Sequence, residues 1–170
     1  MNTGIIIGNI CSLLAMGTDS ISSTRKTPKG ILWVQTLSQV FYGVGSIVLK
    51  GYSGAVQNLV SILRNLVAIR NISSVFLEWT LVVLGVVLGI AFNNLGLMGL
   101  MPVIANLQYT LAVFRFRDNE RALKFSFWIA VGLFTLFNVA IYNVVGVVSN
   151  LVVFVTTAVA LFRDRKKAAA

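Results

Sequence analysis

The sequence contains no histidine, a single cysteine (Cys11) and only five acidic residues. Without histidine the chain has no imidazole to bind a metal, relay protons or act as a base near neutral pH. One cysteine excludes an intramolecular disulfide. The acidic residues are scattered rather than clustered: Asp19, Glu78, Asp118, Glu120 and Asp164. We therefore expect that the protein is not an enzyme and that it uses neither a metal nor any other cofactor.

The chain is instead rich in apolar side chains. Of its 170 residues, 57% are hydrophobic and only 11% are charged. This composition lies outside the range of soluble globular proteins and predicts an integral membrane protein whose main partner is the lipid bilayer. The net charge of +9 does not indicate nucleic-acid binding, because the basic residues lie in short breaks between apolar runs. A nucleic-acid interface needs them on one soluble face with aromatic side chains.

Seven apolar runs approach the roughly 20 residues that a membrane-crossing helix needs. They cover residues 3–17, 30–49, 53–70, 76–93, 95–113, 123–142 and 144–162. The first run is short, but no basic residue precedes it and no cleavage site is clear after it. We therefore interpret it as a retained span and not as a signal peptide. The sequence thus predicts an all-α integral membrane protein with seven transmembrane helices.

The basic residues predict the orientation of these helices, because cytoplasmic loops collect lysine and arginine. Those of the first, third and fifth loops and of the C-terminus fall on one side: Arg25, Lys26, Lys29, Arg70, Arg115, Arg117, Arg121, Lys124, Arg163, Arg165, Lys166 and Lys167. On the opposite side lies Lys50 alone. We expect the N-terminus outside and the C-terminus in the cytoplasm.

The first three runs resemble the last three at an offset of 92 residues, at which GAVQNLV (54–60) aligns with GVVSNLV (146–152). The repeat predicts four segments: a first three-helix repeat over 1–73, a linker helix over 74–94, a second three-helix repeat over 95–165 and a cytoplasmic tail over 166–170. One linker helix restores the chain direction after three spans. The two repeats are therefore expected to be parallel and to enclose a central pathway.

Polar side chains within the runs either join helices or line a cavity, because a polar group in hydrocarbon is costly without a partner. Asn58 and Asn65 share one face of the third run, and Asn58 aligns with Asn150 in the repeat. Two amides facing each other across an axis can hold hydroxyls, amides or carbonyls. Gln39 and Tyr42 lie on one stripe of the second run, and the repeat mate of Tyr42 is Phe134.

Arg64 has no basic mate in the repeat, because Thr156 occupies the corresponding position. One interpretation is that it binds the negative group of a solute. The other is structural: the side chain extends toward the cytoplasmic edge near Arg70, or pairs with Glu78. The two interpretations stay open at this point.

The fifth run has Pro102, Asn106 and Tyr109 on one face. Proline lacks a backbone donor and permits a kink, so Pro102 is a candidate hinge. In this interpretation no carboxylate lies deep in any span, and with histidine absent a proton relay is hard to build. Passive transport or exchange is then favoured over proton coupling.

Two segments resemble a known family. GYSGAVQNLVSILRNLVAIR (51–70) resembles the third-helix signature of the YgjV-type bacterial inner-membrane proteins, and LMPVIANLQYTLAVFR (100–115) resembles their fifth-helix segment. This resemblance implies a bacterial inner membrane location. The three-one-three plan also resembles the superfamily of SWEET sugar transporters, PQ-loop transporters, PnuC-type transporters and the KDEL receptor.

The wider resemblance implies a central substrate site with Asn58 and Asn150 at its amide positions and Tyr42 and Phe134 as aromatic partners. SWEET proteins usually have tryptophan at the aromatic position and proline in the first helix of both triplets, and this chain departs from both features. A sugar substrate therefore does not carry over.

The sequence predicts a transporter or facilitator of a small polar solute that works by alternating access, with Asn58, Asn150, Tyr42, Phe134, Arg64, Asn65, Gln39 and Asn106 at the site. Arg64 would favour a solute with a negatively charged group. The alternative is a membrane receptor or assembly factor that binds a ligand without moving it. A homo-oligomer is compatible with either.

Overall fold

The computed structural model describes residues 3–72, 74–116, 118–141 and 143–168, with side chains up to residue 163. Arg117 and the side chains of Arg165, Lys166 and Lys167 lie outside the described residues. Within them the chain is entirely helical, without strands. The helices are α1 (Thr3–Thr24), α2 (Pro28–Val48), α3 (Tyr52–Ile69), α4 (Val75–Ala91), a 3₁₀ helix (Gly96–Leu100), α5 (Met101–Arg115), α6 (Glu120–Ala140) and α7 (Val144–Ala168).

Five helical segments are long and apolar enough to cross a membrane: Thr3–Thr24, Pro28–Val48, Gly96–Arg115, Glu120–Ala140 and Val144–Arg163. The helix α4 is apolar but has only 17 residues. The 18 residues of α3 include a polar group at nearly every turn, so α3 does not qualify by composition. At 1.5 Å per residue α3 is about 27 Å long, close to the roughly 30 Å of hydrocarbon in a bilayer.

Burial follows a pattern suited to lipid. Large apolar side chains such as Trp33, Phe76 and Val159 are more than half exposed, whereas Gln35, Gln57 and Arg64 are each 1% exposed. In water this arrangement would be unfavourable, because apolar surface faces the solvent and polar groups are buried. In a bilayer it is favourable, since the polar groups find partners only inside the bundle.

Side-chain caps fix the starts of three helices. Side-chain oxygens of Thr27, Ser74 and Asn119 accept hydrogen bonds from backbone N–H groups in the first turns of α2, α4 and α6. These caps satisfy donors that have no partner within the helix. Pro28 follows directly after Thr27, at a position where proline loses no helical hydrogen bond.

The first helix is longer than the predicted run of residues 3–17, because it continues to Thr24. The hydroxyls of Thr18 and Thr24 donate to the carbonyls of Ala15 and Ile21, at 2.8 Å each, and so lose their need for water. The extension carries Asp19 into the bundle, where it is 2% exposed. The expectation that no carboxylate lies deep in a span was therefore wrong.

Six helices form a ring. In the first half α1 packs on α2 and α2 on α3, and in the second half α5 packs on α6 and α6 on α7. The ring is closed by contacts of α3 with α5 and of α7 with α1. The helix α4 lies outside it, against α3 and α5. This arrangement leaves a space at the centre that six helices can line.

The predicted hinge residue Pro102 lies in the first turn of α5, directly after the 3₁₀ helix. It therefore breaks no hydrogen bond of the α-helix, since the first turn has no acceptor for its N–H. The predicted span of residues 95–113 is thus two helical segments that meet at Met101. Its role as a hinge stays a prediction.

Candidate functional site: a central polar cavity

A cavity lies at the centre of the ring, and every α-helix except α4 contributes to its wall. It reaches the end of the bundle at Leu49, Ile141 and Asn143, where α2 and α6 end and α7 begins. No residue of the connections at the opposite end lines it. The cavity is small, since the volume that the centre of a water molecule can reach is about 60 Å³. It therefore opens toward one end of the bundle.

Arg64 lies in the wall with its guanidinium held by polar groups from two helices. Its Nη1 donates to Asn106 Oδ1 at 2.7 Å and to Thr110 Oγ1 at 3.3 Å, and its Nε donates to Asn65 Oδ1 at 3.0 Å. The guanidinium also lies 4.6 Å from the ring centre of Tyr109. A cation is attracted to the face of an aromatic ring. Arg64 is thus directed into the protein and not toward the helix end near Arg70.

No carboxylate neutralises Arg64. Among the described residues, the pair Lys124–Glu120 is the single one with opposite charges within 4.0 Å, at 2.5 Å. Within the described residues Glu78 therefore does not pair with Arg64. Neutral amide and hydroxyl oxygens that accept hydrogen bonds from Arg64 stabilise the cation less than a buried counter-charge would. The site therefore retains a positive charge that an anionic group can neutralise.

Gln57 and Asn106 connect three helices beside the cavity. Asn106 Nδ2 donates to Gln57 Oε1 at 2.7 Å, and Gln57 Nε2 donates to the backbone oxygen of Gly85 in α4 at 2.7 Å. On the other side of Arg64, the hydroxyl of Tyr109 donates to Gln35 Oε1 at 2.5 Å. These bonds fix the positions of α3, α4 and α5 around the guanidinium.

Asp19 forms a second polar group in the wall. Its carboxylate accepts a hydrogen bond from Ser38 Oγ, and the hydroxyl of Tyr42 lies close to it. The same hydroxyl donates to Asn150 Oδ1 at 3.2 Å. This bond joins Tyr42 on α2 to an asparagine on α7. The two halves therefore meet through a side-chain contact at the cavity.

Two polar atoms of the wall lack a protein partner. Asn150 Nδ2 is a buried donor and Gln39 Oε1 is a buried acceptor, and neither has a hydrogen bond within the described part of the chain. Buried polar groups are normally satisfied, so an unsatisfied one marks a place for water or a ligand. The cavity thus presents one free donor and one free acceptor in addition to its charges.

The structure brings together seven of the eight predicted site residues: Asn58, Asn150, Tyr42, Phe134, Arg64, Gln39 and Asn106. Asn65 does not line the cavity. It is fully buried between helices, where its Nδ2 donates to the backbone oxygen of Leu32 at 3.5 Å and its Oδ1 accepts from Arg64. Its visible role is to hold α3 against α2 and to orient the arginine.

Sequence reasoning missed Asp19, Ser61 and Tyr109 as wall residues. A signal for Asp19 was present, because the small and polar residues Ser12, Ala15, Asp19 and Ser22 follow helical spacing and all are buried. That stripe indicates that α1 continues beyond residue 17 with its polar face inward. Composition alone instead favours a loop for residues 18–24, because they are mostly polar and follow an apolar run.

The described residues contain no group of three or more side chains of the kinds that bind metal ions. The wall offers amides, hydroxyls, aromatic rings, one carboxylate and one guanidinium. These groups can bind the polar parts of a solute.

A helical bundle with apolar surface, buried polar groups and a central cavity defines a multi-pass membrane protein. The chain belongs to the Imp-YgjV family of bacterial inner membrane proteins, whose sequence model matches residues 6–168. No curated protein and no solved structure shows a significant match to the chain.

Proposed function

We propose that this protein is a transporter or facilitator that moves a small polar solute across the bacterial inner membrane by alternating access. The observation that carries the proposal is the single cavity lined by α1–α3 and α5–α7, with no lining residue from α4. A site shared by two halves changes its access when one half moves against the other. The proposal includes no catalytic activity.

In this proposal α1–α3 and α5–α7 are parallel repeats of the SWEET-like type, and α4 is the linker. The helix contacts support it, because each contact within the first half has a counterpart in the second half. The contact of α3 with α5 likewise corresponds to that of α7 with α1. We propose that all seven helices, including the shorter α3 and α4, cross the membrane.

The proposed orientation has the N-terminus outside and the C-terminus in the cytoplasm. The open end of the cavity, at Leu49 and Ile141, then faces outward. Near the opposite end α1 and α7 are joined by Ser23 Oγ and Thr157 Oγ1, which lie 2.7 Å apart. The structure corresponds in this proposal to an outward-facing state whose cytoplasmic side is closed.

The size of the cavity restricts the solute. About 60 Å³ of space for the centre of a water molecule suits a small molecule, and a larger one would need the helices to separate. Asn58, Asn150 and Gln39 would bind its polar groups, Tyr42 and Phe134 would pack on it, and Arg64 would neutralise an anionic end.

The test begins with a thermal-shift screen of metabolites on the purified protein and on Arg64→Ala. A solute that stabilises the parent protein and not the variant identifies both the solute class and the site. Equal stabilisation of both proteins contradicts the role of Arg64. Radiolabelled solute is then offered to proteoliposomes, and uptake is expected to fall in the double variant Asn58→Ala, Asn150→Ala.

Uptake unchanged in that double variant would overturn the assigned site. Tight binding without measurable flux in either direction would overturn transport and select a receptor or assembly factor. The matched control replaces Asn9, a half-buried asparagine of α1 that does not line the cavity, by alanine.

A further inference from the structure

The cavity wall contains two buried side chains of opposite formal charge that do not pair with each other. Asp19 is 2% exposed and Arg64 is 1% exposed, and both line the cavity. Neither has a counter-charge within 4.0 Å among the described residues. Asp19 is on α1 and Arg64 is on α3, so the two charges belong to different walls.

A chain of neutral groups separates the two charges. Ser38 Oγ lies within hydrogen-bond distance of the Asp19 carboxylate and, at 2.9 Å, of the backbone oxygen of Gln35, so its single hydrogen is shared between these two acceptors. The side chain of Gln35 accepts from the hydroxyl of Tyr109, whose ring faces Arg64. These contacts hold each charged group by neutral partners, and within the described residues the two charges form no ion pair.

Buried charges are costly unless a partner compensates them, and both of these side chains line the cavity, where a solute can supply that partner. A purely anionic solute would neutralise Arg64 and add a negative charge near Asp19. A purely cationic solute would do the reverse. A solute with both groups adds no net charge to the site and satisfies each end, so electrostatic complementarity selects it over either singly charged analogue.

We propose that the cavity binds a zwitterionic solute, with its cationic group at Asp19 and its anionic group at Arg64. The inference rests on the proposed solute site and names the class of solute that it takes. Tyr42 contributes at the cationic end, since its hydroxyl lies near Asp19 and donates to Asn150. Asp19 becomes a specificity-determining residue that the anionic-solute interpretation leaves without a role.

The probes are ω-amino acids from glycine to 6-aminohexanoate, because their length varies while both charges are kept. Each is compared with the alkylamine and the carboxylate of equal length. Binding to the full-length protein in nanodiscs is measured by calorimetry. One length is expected to bind best, and removing either charged group of that probe weakens binding by about tenfold or more.

Asp19→Asn removes the negative charge of Asp19 with little change of shape. It alters none of the side chains that accept hydrogen bonds from Arg64. In this variant, the zwitterion and the matching carboxylate should bind with equal affinity. Arg64→Lys keeps the cation but loses the planar donor geometry, and weaker binding of the carboxylate end is expected. Glu78→Gln on α4 and the exposed Arg121→Gln are the matched controls, and both should bind as the parent does.

Unchanged preference for the zwitterion in Asp19→Asn would overturn the inference, and so would equal binding of the zwitterion and the carboxylate by the parent. Flux is measured separately in proteoliposomes. Zwitterion binding that depends on Asp19 but occurs without flux would retain the inference and overturn transport. Flux of a solute without an amino group, undiminished in Asp19→Asn, would retain transport and overturn the inference.

Discussion

Asn106 Oδ1 lies 2.7 Å from Arg64 Nη1 and 2.8 Å from Ser61 Oγ, so one amide oxygen on α5 accepts from two side chains of α3. The nitrogen of the same amide donates to Gln57 Oε1. The nitrogen also donates to the backbone oxygen of Gln57 at 3.3 Å. The amide therefore uses both lone pairs of its oxygen and both of its N–H groups.

Replacing Asn106 by alanine is expected to destabilise the protein by about 2 to 3 kcal/mol, because buried donors on Arg64 and Ser61 lose their acceptor. Thermal unfolding in detergent would measure the loss. Asn9→Ala is the control, since Asn9 is only half buried and does not line the cavity. Equal unfolding temperatures for the two variants would contradict the role of Asn106.

Tyr42→Phe should weaken solute binding while leaving the fold intact. The variant removes the hydroxyl that donates to Asn150 Oδ1, and Asn150 Nδ2 already lacks a partner. A loss of about fivefold to tenfold in affinity corresponds to one hydrogen bond. Tyr52→Phe, at a residue 46% exposed at the start of α3, should bind as the parent does. Similar losses of affinity in both variants would contradict a role of the Tyr42 hydroxyl in the cavity.

Gly89→Ala is expected to loosen the contact of α4 with α3 and α5. A Cβ at this position would overlap with Gln57 Nε2 and lie 2.6 Å from Val103 Cγ2. Overpacking of this kind costs about 1 to 3 kcal/mol. Gly17→Ala is the matched control, because nothing lies within 4 Å of its Cβ position, and alanine is the better helix former. Thermal unfolding of Gly89→Ala at or above the parent temperature would contradict the packing.

The orientation can be tested by cysteine labelling, because Cys11 is the sole cysteine of the chain. In a Cys11→Ala background, a membrane-impermeant maleimide added to intact cells is expected to label Lys50→Cys and not Arg25→Cys. Both positions are exposed at ends of helices. Labelling of both only after the inner membrane is opened, or the reverse pattern, would overturn the proposed orientation.

The membrane class could be predicted from the sequence because it depends on composition, which needs no contact to be known. The helices could be predicted as well, since a polar break of a few residues separates each apolar run from the next. The boundary of α1 could not, because residues 18–24 are polar by composition. They are helical because their polar face is covered by α2 and α7, as the bonds of Asp19 with Ser38 and of Ser23 with Thr157 demonstrate.

The placement of most of the candidate residues in one cavity followed from two sequence features, the repeat and the helical spacing of polar residues. The different locations of Asn58 and Asn65 did not follow from these features. Both lie on the same face of α3 two turns apart, yet Asn58 lines the cavity and Asn65 is enclosed between α3 and α2. The depth of each residue along the bundle decides which of the two reaches the cavity. The sequence of a single helix does not show that depth.

The sequence by itself determined that this chain is a membrane protein built of helices and that its third apolar run carries an arginine. Only the tertiary structure decided what surrounds that arginine. It placed Asn106, Thr110 and Tyr109 of α5 around the guanidinium and Asp19 of α1 in the same cavity. The reason is physical: the cost of a buried charge depends on the groups facing it, and those groups lie on helices that are distant in sequence.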